Sequence, residues 1–417
     1  MIKTIQVPSV GEARRSAMLY LLVRLLPAIT HLIVSLVLFR QTEPQVYLGY
    51  AYTIALMMGL GIASSAWLIQ SLVRDNHAFQ EPSTASPVIW LGVGTILLAS
   101  GPVAYLMHQS VLAQHAVNFT STALFFSSWV LFLNFFYWHI GQNKPSILLK
   151  SELTRSSISI ALAIVLVLCF DLQSANTLIL VSSFTTAAST VLLAPRATCQ
   201  LPTKHQCHLL WSALKHNWQA IIWFLASTVL FWSDRIALEA HVSPKILAIY
   251  VLVSDLIQRG TQFVYGSIVV SLQPHIANQL HNSIENTMRV VRVGIAMQVA
   301  LTAGLTVGVY LLAPPILNVA IGSSASTAVE LVWPLLWAYA CWQAAQILQK
   351  PLEYGGWLGF VSGAACLTCV VVYTLATFML SIYGYKAGAF ALAIGCTTYT
   401  ITILAALITW RYRSAPK

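Results

Sequence analysis

Charge is what this chain has least of. Only 8% of its 417 residues are Asp, Glu, Lys or Arg, about a third of the share with which a soluble domain coats its surface. The two or three soluble domains that the length alone suggests are therefore excluded, and the uncovered surface must face lipid. Acidic residues are the scarcer sign, 12 against 22 Lys and Arg, for a formal net charge of +10. Such a surplus attracts nucleic acid where it is clustered. Here the charges stand between long apolar runs, the pattern of a polytopic membrane protein, and no nucleic-acid partner is expected.

Long polar loops are missing too. The two longest connections cover about 195–217 and 70–86, too little for a separate catalytic or binding domain, so the function resides among the helices. The chain has no His-Glu-x-x-His, Gly-Lys-Ser/Thr or Gly-x-Ser-x-Gly, which argues against metallohydrolase, nucleotide-driven or serine-hydrolase chemistry. We expect no enzyme activity and no cofactor. Of the seven cysteines, Cys169, Cys341, Cys366, Cys369 and Cys396 lie inside apolar runs, where a thiol behaves as a small hydrophobe. Cys199 and Cys207 share a polar stretch with His205 and His208. These are zinc-type ligands without a finger spacing, and we expect a chance cluster and no metal.

What the chain does have is apolar runs. A bilayer core about 30 Å thick takes roughly 20 helical residues to cross, and twelve runs qualify: 16–39, 46–69, 87–107, 117–140, 156–171, 176–194, 218–238, 246–272, 290–312, 328–349, 357–381 and 387–410. The fifth is short, so its helix is expected to begin near Ile147, with Lys150, Glu152 and Arg155 at the interface. The first is not a cleaved signal, because Arg24 and Pro27 interrupt it and no small-residue cleavage site follows. With the N-terminus in the cytoplasm, sixteen Lys and Arg fall on the cytoplasmic side and four, Arg40, Arg235, Lys245 and Lys386, on the other. Arg24 and Arg259 remain within spans. This bias predicts both termini inside. Between spans eight and nine, Ile276, Leu280, Ile284 and Met288 recur every four residues, which predicts an amphipathic surface helix over 275–289.

The halves echo each other. Phe39-Arg40-Gln41-Thr42-Glu43-Pro44 leads to Leu48-Gly49-Tyr50, and Ser233-Asp234-Arg235 leads to Ala248-Ile249-Tyr250. In each, an Arg closes one helix and a Tyr opens the next. Six spans plus six fits a two-lobed transporter with its site between repeats: a lobe over 1–194, a cytoplasmic linker over 195–217 and a second lobe over 218–417.

Trp232-Ser233-Asp234-Arg235 followed by Leu247-Ala248-Ile249-Tyr250 resembles the start of the second half of lipid-linked oligosaccharide flippases. These belong to the multidrug/oligosaccharidyl-lipid/polysaccharide flippase superfamily. In them a "DR" closes helix seven and "lGiY" opens helix eight; here Ala248 replaces the usual Gly. Ile268 to Ala277, with Gln273-Pro274, resembles that family's helix-eight ending, and Arg40 to Tyr50 resembles its first-half pattern. The resemblance implies an all-α membrane protein of about twelve helices in two six-helix bundles around a central cavity. It also implies alternating access and transport of an undecaprenyl-diphosphate-linked oligosaccharide to the outer leaflet of a bacterial inner membrane, for O-antigen, capsule or exopolysaccharide assembly. A polysaccharide polymerase and chain-length machinery would then be partners, besides membrane lipids.

Ionisable groups inside spans are functional candidates, since each costs at least about 2.5–3.5 kcal/mol at a helix centre. Tyr20, Arg24, Pro27, His31 and Ser35 share one face of the first span. Asp255 and Arg259 stand at i and i+4 in the eighth, spaced as an ion pair within one helix, with Gln258 and Gln262 on the same polar face. Either that pair is a packing device, or Arg24 and Arg259 face the gap between lobes and bind an anion, for which Arg's planar fork is suited. By resemblance the cavity is cationic and holds the diphosphate. Asn134, Gln258, Gln262, Gln343 and Gln346 are candidates for sugar hydroxyls; Trp337, Tyr339 and Trp342 are candidates for sugar faces, or for packing. Asp234, Arg235 and Arg40, near outer helix ends, are either interfacial anchors or gating and coupling residues. Two rivals remain: a cation-coupled drug exporter of the same superfamily, which would want acidic cavity residues, and a membrane glycosyl polymerase, which typically carries a large outer loop.

Overall fold

The computed structural model describes residues 10–74, 82–142, 144–169, 174–194, 203–280 and 283–414. They form twelve α-helices: α1 (Val10–Gln41), α2 (Pro44–Arg74), α3 (Pro82–Met107), α4 (Phe119–Gly141), α5 (Pro145–Cys169), α6 (Ala175–Leu193), α7 (Lys204–Glu239), α8 (Pro244–Leu280), α9 (Ile284–Ile321), α10 (Ala325–Tyr354), α11 (Leu358–Tyr383) and α12 (Ala387–Ser414). Each of the twelve apolar runs is one helix. Proline opens α2, α3, α5 and α8, where its fixed φ suits the first helical position and its missing N–H costs nothing. Gly322 (φ 66°) and Gly384 (φ 54°) end α9 and α11 in a backbone region that side chains disfavour, and a 3-10 turn then leads into α10 and α12.

Two boundaries differ from expectation. The first half of the expected linker is partly outside the described residues, but 204–217 is helical and extends α7. There Thr203 and Gln206 exchange side-chain and backbone bonds in a capping box. The surface helix expected over 275–289 is not a separate element. The chain stays in α8 to Leu280 and re-enters helix at Ile284; Ile276 is buried, and Leu280, Ile284 and Met288 pack on the core. The four-residue spacing therefore marks the buried faces of two long helices rather than a membrane-surface stripe.

Among the described residues, eight segments are long and apolar enough to cross a membrane, by length and composition. They comprise α1–α4, α6, α7, α9 and the pair α11–α12, leaving out α5, α8 and α10. Those three helices carry Glu152, Arg155, Asp255, Arg259 and the amides of Gln258, Gln262, Gln343 and Gln346.

The helices form two six-helix bundles. In the first, α4 packs on α2 and α6, and α1 and α6 pack on α5; in the second, α10 packs on α8, α9 and α12, and α11 packs on α7 and α12. The bundles meet along α2 and α7, and α1 and α2 also touch α8. Gly59 is what lets α2 approach α7: a Cβ there would lie 2.1 Å from Cγ2 of Thr228. Along the same seam the Asn217 amide donates to Ser71 Oγ (3.0 Å). At the far end of α7, Glu239 accepts from Gln114 (2.9 Å) and pairs with His115 Nε2 (2.8 Å), both from the turn between α3 and α4.

Candidate functional site: an arginine-lined cavity in the first bundle

A cavity of about 1260 Å³ lies among α1, α2, α4, α5 and α6, and α8 closes its edge with Arg259, Gln262 and Phe263. Trp129, Phe132 and Phe136 of α4 and Ile54, Met58 and Ile62 of α2 make its wall largely apolar. Ser156 and Ser159 of α5 and Ser182, Thr185 and Thr186 of α6 add hydroxyls.

Three arginines border this space. Arg24 and His31 come from α1, as their shared helical face predicts. Arg24 reaches toward α8, its Nη1 lying 3.9 Å from where a Cβ on Gly266 would sit. Arg259 enters from α8. Among the described residues no carboxylate lies within ion-pair distance of Arg24 or Arg259. The third is Arg155 of α5. Its Nε and Nη2 both donate to Oε2 of Glu152, at 3.0 and 2.8 Å. Its guanidinium carbon stands 4.7 Å from the ring centre of Phe132 and 5.7 Å from that of Trp129. His31 is hydrogen-bonded to Ser35 Oγ at 3.0 Å. With Glu152 as the single lining carboxylate among the described residues, their formal charge around the cavity is positive.

Glu152 and Arg155 are corrections to the sequence-based expectation, which put them at the interface. Glu152 is buried and both line the cavity. The signal was present: Glu152, Arg155, Ser156 and Ser159 recur at steps of three and four, which puts them on one helical face.

The expected pair within α8 does not form. Asp255 instead accepts from Arg235 of α7, Nη2 to Oδ1 at 2.6 Å, and Arg235 also donates to Ser254 Oγ at 3.3 Å. Arg235 is almost fully buried (1% exposed). An unpaired charge there would cost about 3–5 kcal/mol, whereas Arg259 borders the cavity. Asp255 therefore answers the cation with the greater need. Asp234 and Arg235 are likewise not interfacial. Asp234 is fully buried; it accepts from the Tyr250 hydroxyl and, at 2.8 Å, from the Arg235 backbone N–H. Ser254 Oγ and the Tyr339 hydroxyl of α10 lie 2.8 Å apart, tying a third helix into this network.

The remaining candidates divide. Gln262 lines the cavity; Gln258 and Asp255 do not. Asn134 is buried and donates to Ser65 Oγ (3.0 Å) and to the Val130 carbonyl (2.8 Å), so it fastens α4 to α2. Gln343 and Gln346 stand on α10 outside the cavity lining. Trp342 stacks on Tyr399 at 5.1 Å, and Trp337 donates to Thr397 Oγ1 at 3.0 Å. The α10 row thus packs the second bundle instead of meeting the cavity, because it faces α12 and α8. Arg40 is exposed in the last turn of α1, unlike Arg235, with which the sequence echo paired it and which is buried. Cys199 lies outside the described residues; His205, Cys207 and His208 are exposed on the first turns of α7.

No protein-family model matches the chain, and no curated protein sequence matches it. Solved structures do match its fold. An inward-facing multidrug resistance MATE family transporter of the MOP superfamily superposes with a TM-score of 0.67 at 12% identity, over 95% of this chain and 100% of that one. A variant of the Vibrio cholerae MATE transporter VcmN gives 0.68 at 12% identity, over 96% and 95%. The eukaryotic MATE transporter AtDTX14 gives 0.69 at 11% identity, over 95% and 97%. At such identities it is the architecture that is shared: this chain has the twelve-helix, two-bundle fold of the MATE transporters.

Proposed function

We propose that the chain is a multi-pass transporter that carries amphipathic anions across the membrane by alternating access of its first-bundle cavity, and that its substrate is an undecaprenyl-diphosphate-linked oligosaccharide. One observation carries this reading: Arg24, Arg155 and Arg259 border a cavity whose only lining carboxylate among the described residues is Glu152. Guanidinium groups bind phosphate oxygens through two parallel hydrogen bonds, the apolar wall suits a lipid chain, and the Ser and Thr hydroxyls of α5 and α6 suit a sugar. The volume exceeds the roughly 300–1,000 Å³ of pockets for drug-sized ligands. In this proposal the protein sits in a bacterial inner membrane with both termini in the cytoplasm, and polysaccharide polymerase and chain-length machinery consume what it delivers. Arg24 from one bundle and Arg259 from the other hold the anion across the seam, so that loading draws on both.

Drug export is the second reading, and the fold likeness favours it, since one of the structures matched is a multidrug resistance transporter. A transporter fold in turn favours either reading over a glycosyl polymerase. The sign of the cavity separates the two. A cationic drug meets net positive charge there, whereas an anion is drawn in.

The test is binding by purified full-length protein in nanodiscs, with geranylgeranyl diphosphate as the anionic probe and tetraphenylphosphonium as the cationic one. The diphosphate is expected to bind, and Arg24→Ala and Arg259→Ala each to weaken it about tenfold or more, as for a hydrogen bond to a charged group. Lys is expected to replace Arg poorly at either place. Preference for the phosphonium, indifferent to both substitutions, overturns the anion reading and leaves drug export.

A further inference from the structure

We infer that Arg155 is a pre-oriented anion ligand of the cavity and that Glu152 is the residue that positions it. The inference rests on the anion reading above and adds to it the pair on α5. Three observations lead there. The carboxylate is the more deeply buried partner, its side chain 4% exposed against 17% for that of Arg155. Both residues line the cavity, but Arg155 is the member that presents more of its side chain to it. Both bonds to Glu152 leave from Nε and Nη2 and end on one oxygen, Oε2. That grip engages one edge of the guanidinium and leaves the Nη1 donors outside it. Finally, Phe132 and Trp129 lie within cation–π distance of the same group.

A guanidinium held at one edge and over aromatic faces loses little freedom when it binds, because its fork is already set. Arg24 and Arg259 have no such support: no carboxylate lies within ion-pair distance of either among the described residues. The cavity therefore offers one fixed arginine and two that adapt. The fixed one sets where the anionic group lies, and the others close on it.

This assignment makes a prediction opposite in sign to that from charge alone. Glu152→Gln removes a negative charge beside the cavity, so simple electrostatics expects tighter binding of an anion. If Glu152 positions Arg155, the same change loosens the guanidinium and weakens binding. The experiment measures geranylgeranyl diphosphate binding to nanodisc-embedded full-length protein, with thermal unfolding confirming that each variant is folded. Expected are a loss of about three- to tenfold in Glu152→Gln and of about tenfold or more in Arg155→Gln. Arg155→Lys is expected to resemble Arg155→Gln, because it keeps the charge without the fork. Glu152→Asp, which retains the carboxylate, is expected to recover part of the loss. Tighter or unchanged binding in Glu152→Gln overturns the positioning role, and wild-type binding by Arg155→Lys shows a charge effect only. Wild-type protein that takes tetraphenylphosphonium and ignores the diphosphate overturns the anion reading itself, and the inference with it. If Glu152→Gln fails to fold, Arg155→Lys against Arg155→Gln still decides whether the fork is a ligand.

Discussion

The hairpins that bring the two bundles together are built alike and used differently. Pro44 opens α2 and Pro244 opens α8, and Tyr50 and Tyr250 stand at the same step after them. In that register Val34, Ser35, Ala55 and Gly59 correspond to Asp234, Arg235, Asp255 and Arg259. The first hairpin is neutral at each of these four places, where the second is charged. In the second bundle, Asp234, Arg235 and Asp255 are consumed in a buried network that binds α7, α8 and α10 to one another. In the first, ionic groups sit instead on the cavity faces of α1 and α5. Arg259 is the exception in the second hairpin, the one charge of the four that borders the cavity. Gly59, its counterpart, gives the space through which α7 reaches α2. The lesson is that charge in a membrane helix has two uses, fastening helices or meeting a substrate, and burial by neighbouring helices decides between them.

The sharpest way to break this contrast is to strand one member of the buried pair. Arg235→Ala or Asp255→Ala is expected to cost about 3–5 kcal/mol of stability, while Arg235→Met with Asp255→Leu restores most of it. Thermal unfolding in detergent, with expression measured in parallel, checks both. Equal stability of wild type and both single variants would show that the pair is hydrated and the comparison false. By contrast, the arginines of the first bundle are expected to change binding with the fold intact.

Next comes the seam. Gly59→Ala places a methyl group against Thr228 and is expected to destabilise the contact between bundles by about 1–3 kcal/mol, as overpacking does. Adding Thr228→Ala is expected to recover it, measured by the same unfolding assay. Full stability of Gly59→Ala would mean that α2 and α7 are not held this closely.

The smallest effect is expected at the far end of α7. Glu239, its side chain 21% exposed, holds Gln114 and His115, the latter 10% exposed. Glu239→Gln weakens that link, and since exposed or partly exposed ion pairs contribute about 0.2–1 kcal/mol, a modest opening of the bundles is expected at that end. Spin labels on Ser110 and His241, both exposed, report the distance by pulsed electron resonance. An unchanged distance distribution would show that the link does not bias the bundles.

Much of the fold was legible because membrane spans obey a length rule. Twelve apolar runs of roughly the required length became twelve helices, with Pro44, Pro145 and Pro244 marking starts that hydropathy alone blurs. The site was legible only in part. The face of α1 carrying Arg24 and His31 follows from spacing, and both residues meet the cavity. The spacing of Asp255 and Arg259 was just as regular, but an i, i+4 relation names a possible partner without excluding a better one on another helix. Arg235, twenty residues away, was that partner. Glu152 and Arg155 looked interfacial because they begin a helix, and only the packing of α5 against α1 and α6 turns their face inward.

By itself, then, the sequence determined that the chain is a helical membrane protein, where its helices lie and which of their faces are polar. These follow from local quantities: the apolar length that a bilayer demands, the fixed φ of proline and the 3.6-residue period. The tertiary structure decided what each polar face does. Whether an arginine fastens helices, as Arg235 does, or borders a cavity, as Arg24, Arg155 and Arg259 do, depends on which helices cover it. That is set by contacts between residues far apart in the chain, such as Gly59 with Thr228 and Arg235 with Asp255, which no local pattern encodes.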